Sequence, residues 1–433
     1  MPLSSLLPSP STLFKSLFTT ACVLLTTGGT ALYLFQNRLI YPSNLPSGSR
    51  ENVPKPDEFG FDQDCWEEVE LRAPDGVRLR AYVVLYKRGG TQPRERPTVL
   101  MLHANAGNVG HRLPITKVFW SKMRCNVVAL SYRGYGKSEG SPSEKGLKLD
   151  SQTALDYILS HPELEKTDVF LYGQSIGGAV AIHLASQNAQ RLKGLVIENT
   201  FMSLPDLIPQ LLPLLTPFLP FLLTQIWPSK TYIASIPSDF PVLFLAGSRD
   251  ELVEPGQMKG LWGRCKSKRK EWKEFEYGTH NDTCIQPHYF THIANFISTV
   301  TDQPLPEIFT TQPPSTSVDK PVTNRIDTAP PVDTRKEKEA DPVSPTKSDA
   351  ESLSSISSSS RLSNNSGSSS FEFVDRLEGQ TEGELLEGKE AITAGSMGLR
   401  EEAEEVIRGV DEEVNAKIGG KEGRSEEWVK SEL

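Results

Sequence analysis

The chain lacks the residue groupings that mark several large function classes. Its five cysteines, Cys22, Cys65, Cys125, Cys265 and Cys284, are scattered and odd in number. With no CxxC pair and no short-spaced Cys/His set, the usual tetrahedral zinc pattern is excluded and no disulfide framework is offered, so reduced thiols, no metal and no cofactor are expected. Lysine and arginine do not form a stripe along any predicted helix, so no nucleic-acid partner is expected. The run Lys266, Lys268, Arg269, Lys270 reads as a solvated loop. Histidine is scarce, with seven residues in 433, which narrows the search for a general base.

Charge of one sign is also lacking over most of the chain. Residues 302–433 hold 28 acidic and 15 basic side chains, whereas the remainder holds 27 and 31. The net charge of −9 is therefore a property of the tail. That tail is Pro- and Thr-rich, then Ser-rich (Ser352 to Ser370), then Glu-rich. Such composition buries too little apolar surface to offset its ordering entropy, so a disordered segment is expected, able to recruit partner proteins that the sequence does not identify.

What is present begins with Ser16 to Phe35, about 20 residues without a charge, enough to cross a bilayer core as a helix. The run exceeds the apolar core of an ordinary signal peptide and no small-x-small cleavage site follows, so an uncleaved anchor is the expectation. Lys15 before it and Arg38 and Arg50 after it leave the orientation unset. The terminal Lys430-Ser431-Glu432-Leu433 loosely resembles an endoplasmic-reticulum retrieval signal. A single-pass protein of that or another endomembrane is expected.

From residue 66 the pattern is strand after strand. Trp66–Ala73 and Val77–Lys87 flank the hairpin signal Pro74-Asp75-Gly76. Apolar runs without alternation follow at Thr98–His103, Asn126–Ser131, Val169–Tyr172, Leu195–Glu198 and Val242–Ala246, as suits strands buried on both faces. Helical periodicity separates them, as at Ser143 to Leu159, and Gln286 to Thr299 reads as a closing helix. The expected class is α/β, with a mostly parallel central sheet, an antiparallel start and helices on both faces. Met202 to Ile236 interrupts the rhythm with Leu, Phe and six prolines, which permit only short helical turns and predict a short hydrophobic lid. The expected organisation is an N-terminal segment (1–15), a transmembrane anchor (16–35), one α/β domain (36–301, lid about 202–236) and the tail (302–433).

The chemistry centres on Gly173-Gln174-Ser175-Ile176-Gly177-Gly178, between a strand and a small-residue helix. That is the context of a nucleophile elbow, in which glycines allow close packing around a strained turn that exposes the serine. A serine hydroxyl is weak at neutral pH and needs a base, itself oriented by a third group. Asp250 leaves the end of the Val242–Ala246 strand, with Glu251 as the alternative acid. His280 lies in the last strand-end loop, giving the order serine, acid, histidine. His183, His288 and His292 fall on helices and read as core or surface positions. Two backbone amides would hold an oxyanion: that of Ile176, after the nucleophile, and that of Asn105, in the loop His103-Ala104-Asn105-Ala106-Gly107-Asn108. The His103 side chain is expected to brace this loop.

Together with Tyr132-Arg133-Gly134-Tyr135-Gly136, Ser248–Val253 and Gly278–Thr283, these segments resemble the membrane-anchored α/β-hydrolases related to the fungal bud-emergence suppressor protein and to animal alpha/beta hydrolase domain-containing protein 13. The resemblance runs from the membrane segment to about Thr301. It implies an α/β-hydrolase fold, a Ser-Asp-His triad and a single N-terminal anchor. Neighbouring branches cleave acyl thioesters on proteins or lipid esters. One departure is Ala104, where the family pattern has glycine; a positive φ there would strain the oxyanion loop. The expected activity is hydrolysis of acyl esters or thioesters, of lipids or S-acylated proteins, through an acyl-enzyme. The alternatives are a non-catalytic membrane scaffold on the same fold, or a serine peptidase.

Overall fold

The computed structural model describes residues 10–304 together with Pro306 and Phe309. The first nine residues and almost all of the expected tail lie outside the described residues.

Eight strands form one sheet: β1 (Trp66–Arg72), β2 (Arg78–Val84), β3 (Thr98–Leu102), β4 (Asn126–Ser131), β5 (Val169–Gln174), β6 (Gly194–Glu198), β7 (Val242–Gly247) and β8 (Lys270–Phe275). Their spatial order is β1-β2-β4-β3-β5-β6-β7-β8. The first two pair antiparallel, β2 joins β4 antiparallel, and all later pairs are parallel. The last strand is the least apolar of the sheet and ends at Phe275, where Glu276 and Tyr277 form the turn that carries the next loop.

The period of two divides the strand side chains between two cores. Leu100, Leu102, Val128, Leu130, Leu171 and Ile197 face one side, with the buried residues of α3 (Glu144–Ser160) and α4 (Ile176–Asn188). Val99, Met101, Val127, Ala129, Phe170 and Val196 face the other, with α9 (Tyr289–Thr301). Full burial of β3 to β7 explains their unbroken apolar sequence. Arg133 joins three pieces of chain: its guanidinium pairs with Asp75 of the first hairpin turn (2.6 Å) and with Asp150 of α3 (2.8 Å).

The remaining helices are α1 (Pro10–Ile40), α2 (Leu113–Lys117), α5 (Leu204–Leu211), α6 (Leu219–Leu222), α7 (Ser229–Ser235) and α8 (Pro255–Arg264). Helix α1 contains the expected anchor and extends it at both ends; it is long and apolar enough to cross a membrane. Between β6 and β7 the chain makes the short helices α5, α6 and α7, with Pro205 and Pro220 in the first turns of α5 and α6, Pro209 inside α5, and Pro213, Pro217 and Pro228 between the helices. Gln36, near the end of α1, donates from Nε2 to the Leu222 carbonyl (3.0 Å) and accepts from the Thr224 amide (2.8 Å). Tyr41 accepts from Trp227 Nε1 (2.8 Å) and donates to Gln225 Oε1 (3.1 Å). The long helix is thus hydrogen-bonded to the segment between β6 and β7.

Candidate active site

Strand β5 ends at Gln174 and α4 starts at Ile176, leaving Ser175 alone in the turn with φ 55° and ψ −121°. For a β-substituted residue that is a strained conformation, held because its surroundings leave no other path. The surroundings are backbone. A Cβ on Gly173 would lie 2.3 Å from the Gly177 carbonyl oxygen, and one on Gly177 would lie 2.0 Å from that of Leu102. A Cβ on Gly178 would meet Thr200, whose hydroxyl donates to the Ser175 carbonyl (2.7 Å). Gly173 is thus required by the start of α4, Gly177 by the end of β3 and Gly178 by Thr200 just beyond β6.

The strand-end loops meet over this turn. His280 Nε2 lies 3.0 Å from Ser175 Oγ. On the other ring nitrogen, Nδ1 lies 2.9 Å from Asp250 Oδ2 and 3.0 Å from Oδ1. Asp250 Oδ1 also accepts the Leu252 and Val253 amides (3.0 and 2.7 Å), which fix the carboxylate within its own loop. All three side chains are buried. Glu251, the alternative acid, accepts the His280 backbone amide instead (3.2 Å) and steadies that loop. The constellation can pass the serine proton to an imidazole whose opposite nitrogen is held by a carboxylate.

The amide of Ile176 opens α4, where helix N–H groups lack intrahelical acceptors. Neither it nor the Asn105 amide makes a backbone hydrogen bond in loops, turns or caps among the described residues. Ala104 is not among the residues with positive φ, so alanine in place of glycine brings no left-handed strain here. The Asn105 side chain is pinned at both ends, donating to the Ile40 carbonyl and accepting from the Tyr135 hydroxyl (2.7 Å). His103 is buried between Tyr132 and Tyr135, at ring-centroid distances of 4.3 and 5.1 Å. Its Nδ1 lies 2.7 Å from the Ala104 carbonyl oxygen, and burial pulls its pKa down to about 3. It is a neutral brace.

Two residues that sequence reasoning did not single out hold the His280 loop, and a third lies beneath them. Asn199 follows β6, donates to the Thr279 carbonyl (3.0 Å) and the Thr283 hydroxyl (3.0 Å), and accepts the Gly247 amide (2.8 Å). Gln174, inside the elbow, donates to the His280 carbonyl (3.2 Å). Glu198 lies beneath, accepting from Tyr172 (2.7 Å) and Tyr289 (2.5 Å), and burial pushes its carboxyl above the usual range. The available signal was position: Glu198 and Asn199 stand at a strand's carboxyl end, as Ser175 and Asp250 do. Of the other histidines, His183 lies on α4 against Tyr232, His288 caps the start of α9 and His292 lies within it. An open groove of about 530 Å³ lined by Glu144, Lys148, His183 and Gln225 contains none of Ser175, Asp250 or His280. Among the described residues no cluster of His, Cys, Asp and Glu is arranged to hold a metal ion.

Comparison with known proteins follows the same lines. The family model described as the alpha/beta hydrolase fold matches residues 97–225. Protein bem46 of Schizosaccharomyces pombe is 51% identical over 267 residues, covering 62% of this chain and 87% of that protein. An uncharacterized membrane protein of Saccharomyces cerevisiae is 40% identical over 284 residues, covering 65% of this chain and 96% of its own. Alpha/beta hydrolase domain-containing protein WAV2 of Arabidopsis thaliana is 36% identical over 272 residues, covering 60% and 85%.

Proposed function

The chain belongs to the α/β-hydrolase family, in the branch that includes Protein bem46, and on that premise we propose that it is a membrane-tethered serine hydrolase of acyl esters or thioesters. The observation that carries the reading is the 3.0 Å contact of His280 Nε2 with Ser175 Oγ, with Asp250 at 2.9 Å on the opposite nitrogen. In this mechanism His280 takes the Ser175 proton as Oγ attacks the acyl carbon. Asp250 stabilises the resulting imidazolium, and the amides of Ile176 and Asn105 hold the oxyanion. His280 returns the proton to the leaving alcohol or thiol. Water, deprotonated by the same imidazole, then releases the acid and restores Ser175.

The substrate class follows from the surroundings. A helix able to span a bilayer is hydrogen-bonded to an apolar segment beside the site, which suits acyl groups of lipids or S-acylated proteins. The single span across 16–35 and an endoplasmic-reticulum or other endomembrane location belong to the same proposal.

The test is labelling of the full chain with a fluorophosphonate probe. Wild-type protein is expected to label and Ser175→Ala to remain unlabelled; equal labelling of both, or of neither, removes the proposal. Turnover of lipid esters against acyl-thioester peptides then separates the two substrate classes.

A further inference from the structure

The segment from Leu207 to Ser229 contains no charged residue. Its crest is Leu211, Leu212, Leu214, Phe218 and Phe221, all exposed, with Leu214 at 88% and Phe221 at 82%. Contiguous large apolar side chains in water are costly to leave uncovered, and a patch of this kind marks a surface that meets something apolar. The other ends of the same helices are ordinary core, with Leu204, Leu207 and Leu219 buried, so the exposed set is one face.

What covers that face follows from its neighbour. Helix α6 lies against α1: a Cβ on Gly29 would lie 3.8 Å from Leu222 Cδ2, and Gln36 holds the Leu222 carbonyl and the Thr224 amide. Gly29 and Gln36 are seven residues apart, roughly 10 Å of helix at 1.5 Å per residue. Gly29 lies inside the uncharged run and Gln36 just beyond its end. If α1 spans a bilayer, α6 lies beside the stretch from Gly29 to Gln36, on the hydrocarbon side of the level of Gln36. From there the crest side chains extend the apolar surface of α1. The last residue of α1, Ile40, accepts from the side chain of Asn105 through its carbonyl, so the proposed oxyanion loop stands five residues beyond the end of the uncharged run.

We propose that the crest Leu211–Phe221 is embedded in the same leaflet that α1 enters, so that the lid forms a second, monotopic membrane contact and the site takes acyl chains directly from the bilayer. This rests on the membrane-tether reading and extends it from an anchor that tethers to a surface that docks. Its partner is a lipid hydrocarbon layer, and the substrate class is an amphiphile resident in that layer. The absence of lysine and arginine from Leu207 to Ser229 means that contact depends on apolar burial and not on anionic headgroups.

The experiment uses the full chain reconstituted in phosphatidylcholine vesicles, with an environment-sensitive fluorescent amino acid at Leu214, Phe221 or, as a reference far from the lid, exposed Lys166. Emission from Leu214 and Phe221 is expected to shift to the blue and to be quenched by spin labels on the lipid chains, while that from Lys166 is not. Water-like, unquenched emission at both crest positions overturns the proposal. Resistance of the chain to alkaline extraction is scored separately. An extractable chain fails the tether reading, whereas a resistant chain with a solvated crest fails only this inference. Crosslinking between crests of two copies, with no lipid quenching, assigns the face to a second chain and also overturns it. As a second arm, the pair Leu214→Asp and Phe221→Asp changes only exposed side chains. It is expected to keep fluorophosphonate labelling and hydrolysis of a small water-soluble ester while turnover of a vesicle-borne ester falls at least about tenfold, carboxylates being costly in hydrocarbon. Equal loss on both substrates, or on neither, counts against the proposal.

Discussion

At the scale of the residue, Ser175, His280 and Asp250 divide the proposed chemistry between a strained nucleophile, an imidazole and a carboxylate that accepts two amides as well as the ring. Asp250→Asn preserves shape but presents an amide to Nδ1 and favours the wrong tautomer. Its kcat is expected to fall by about 10⁴-fold with little change in thermal stability. A drop below tenfold, read in steady-state kinetics on a small ester, would leave the acid unassigned. His103 makes a second residue-scale prediction. Its pKa is about 3 in the fold because the ring is buried, against about 6.5 in an unfolded chain. Between those values the unfolded chain holds a proton that the folded chain refuses. The stabilising contribution is complete above pH 6.5 and is lost as pH falls towards 3, by up to about 1.4 kcal/mol per pH unit. His103→Phe retains stacking on Tyr132 and Tyr135 and removes the titration. Its melting temperature should fall less steeply than that of wild type from pH 6.5 to 4; parallel curves would assign the acid sensitivity elsewhere.

At the scale of the element, the proposed site is a meeting of strand ends. The elbow was legible in the sequence because its glycines form one short motif: Gly173 and Gly177 are required by backbone of the next turn and of the β3 end, and Gly178 by the Thr200 side chain. The order of the two later loops was legible because Asp250 follows the apolar strand β7 and His280 lies in the last loop before the closing helix. Asn199 was not, since its value lies in bridging Thr279 and Gly247, and that bridge exists only once β6 lies beside β7. The Gln36 and Tyr41 contacts were out of reach for the same reason, joining residues more than 180 positions apart. Asn199→Ala removes four hydrogen bonds between strand-end loops, to Thr279, His280, Thr283 and Gly247, without altering a triad side chain. Each bond contributes about 1 kcal/mol. The variant should lose about 2–3 kcal/mol of stability in urea unfolding. It should also lose kcat more than it raises KM, because the His280 loop is released. An unchanged kcat would show that the His280 loop is held without Asn199.

At the scale of the whole molecule, the helix α1 ends inside the catalytic unit. Gln36 holds the α6 end, Tyr41 sits between Gln225 and the buried Trp227, and Ile40 pins Asn105. A tether whose only task is attachment could be cut anywhere; this one cannot. Removal of residues 1–35 deletes the apolar span and leaves every one of these partners in place. Removal of residues 1–41 leaves Trp227 Nε1 without its acceptor, frees the Asn105 side chain from Ile40, and opens a space where the buried Tyr41 ring stood. An unpaired buried donor costs about 1–3 kcal/mol, and loss of a large buried side chain about 3–5 kcal/mol. The two truncations should therefore separate cleanly on a small water-soluble ester, where membrane delivery plays no part. The shorter deletion is expected to retain kcat within about twofold. The longer one should lose at least about 100-fold and melt at lower temperature, since a displaced oxyanion donor alone is worth about 10²–10³ in rate. Equal activity of the two would mean that Asn105 keeps its place through Tyr135 alone. Tyr135→Phe in the shorter chain then decides the matter, because it removes the hydroxyl that holds Asn105 Oδ1 while leaving the ring beside His103. If that variant too keeps full kcat, the Asn105 amide has no part in stabilising the transition state.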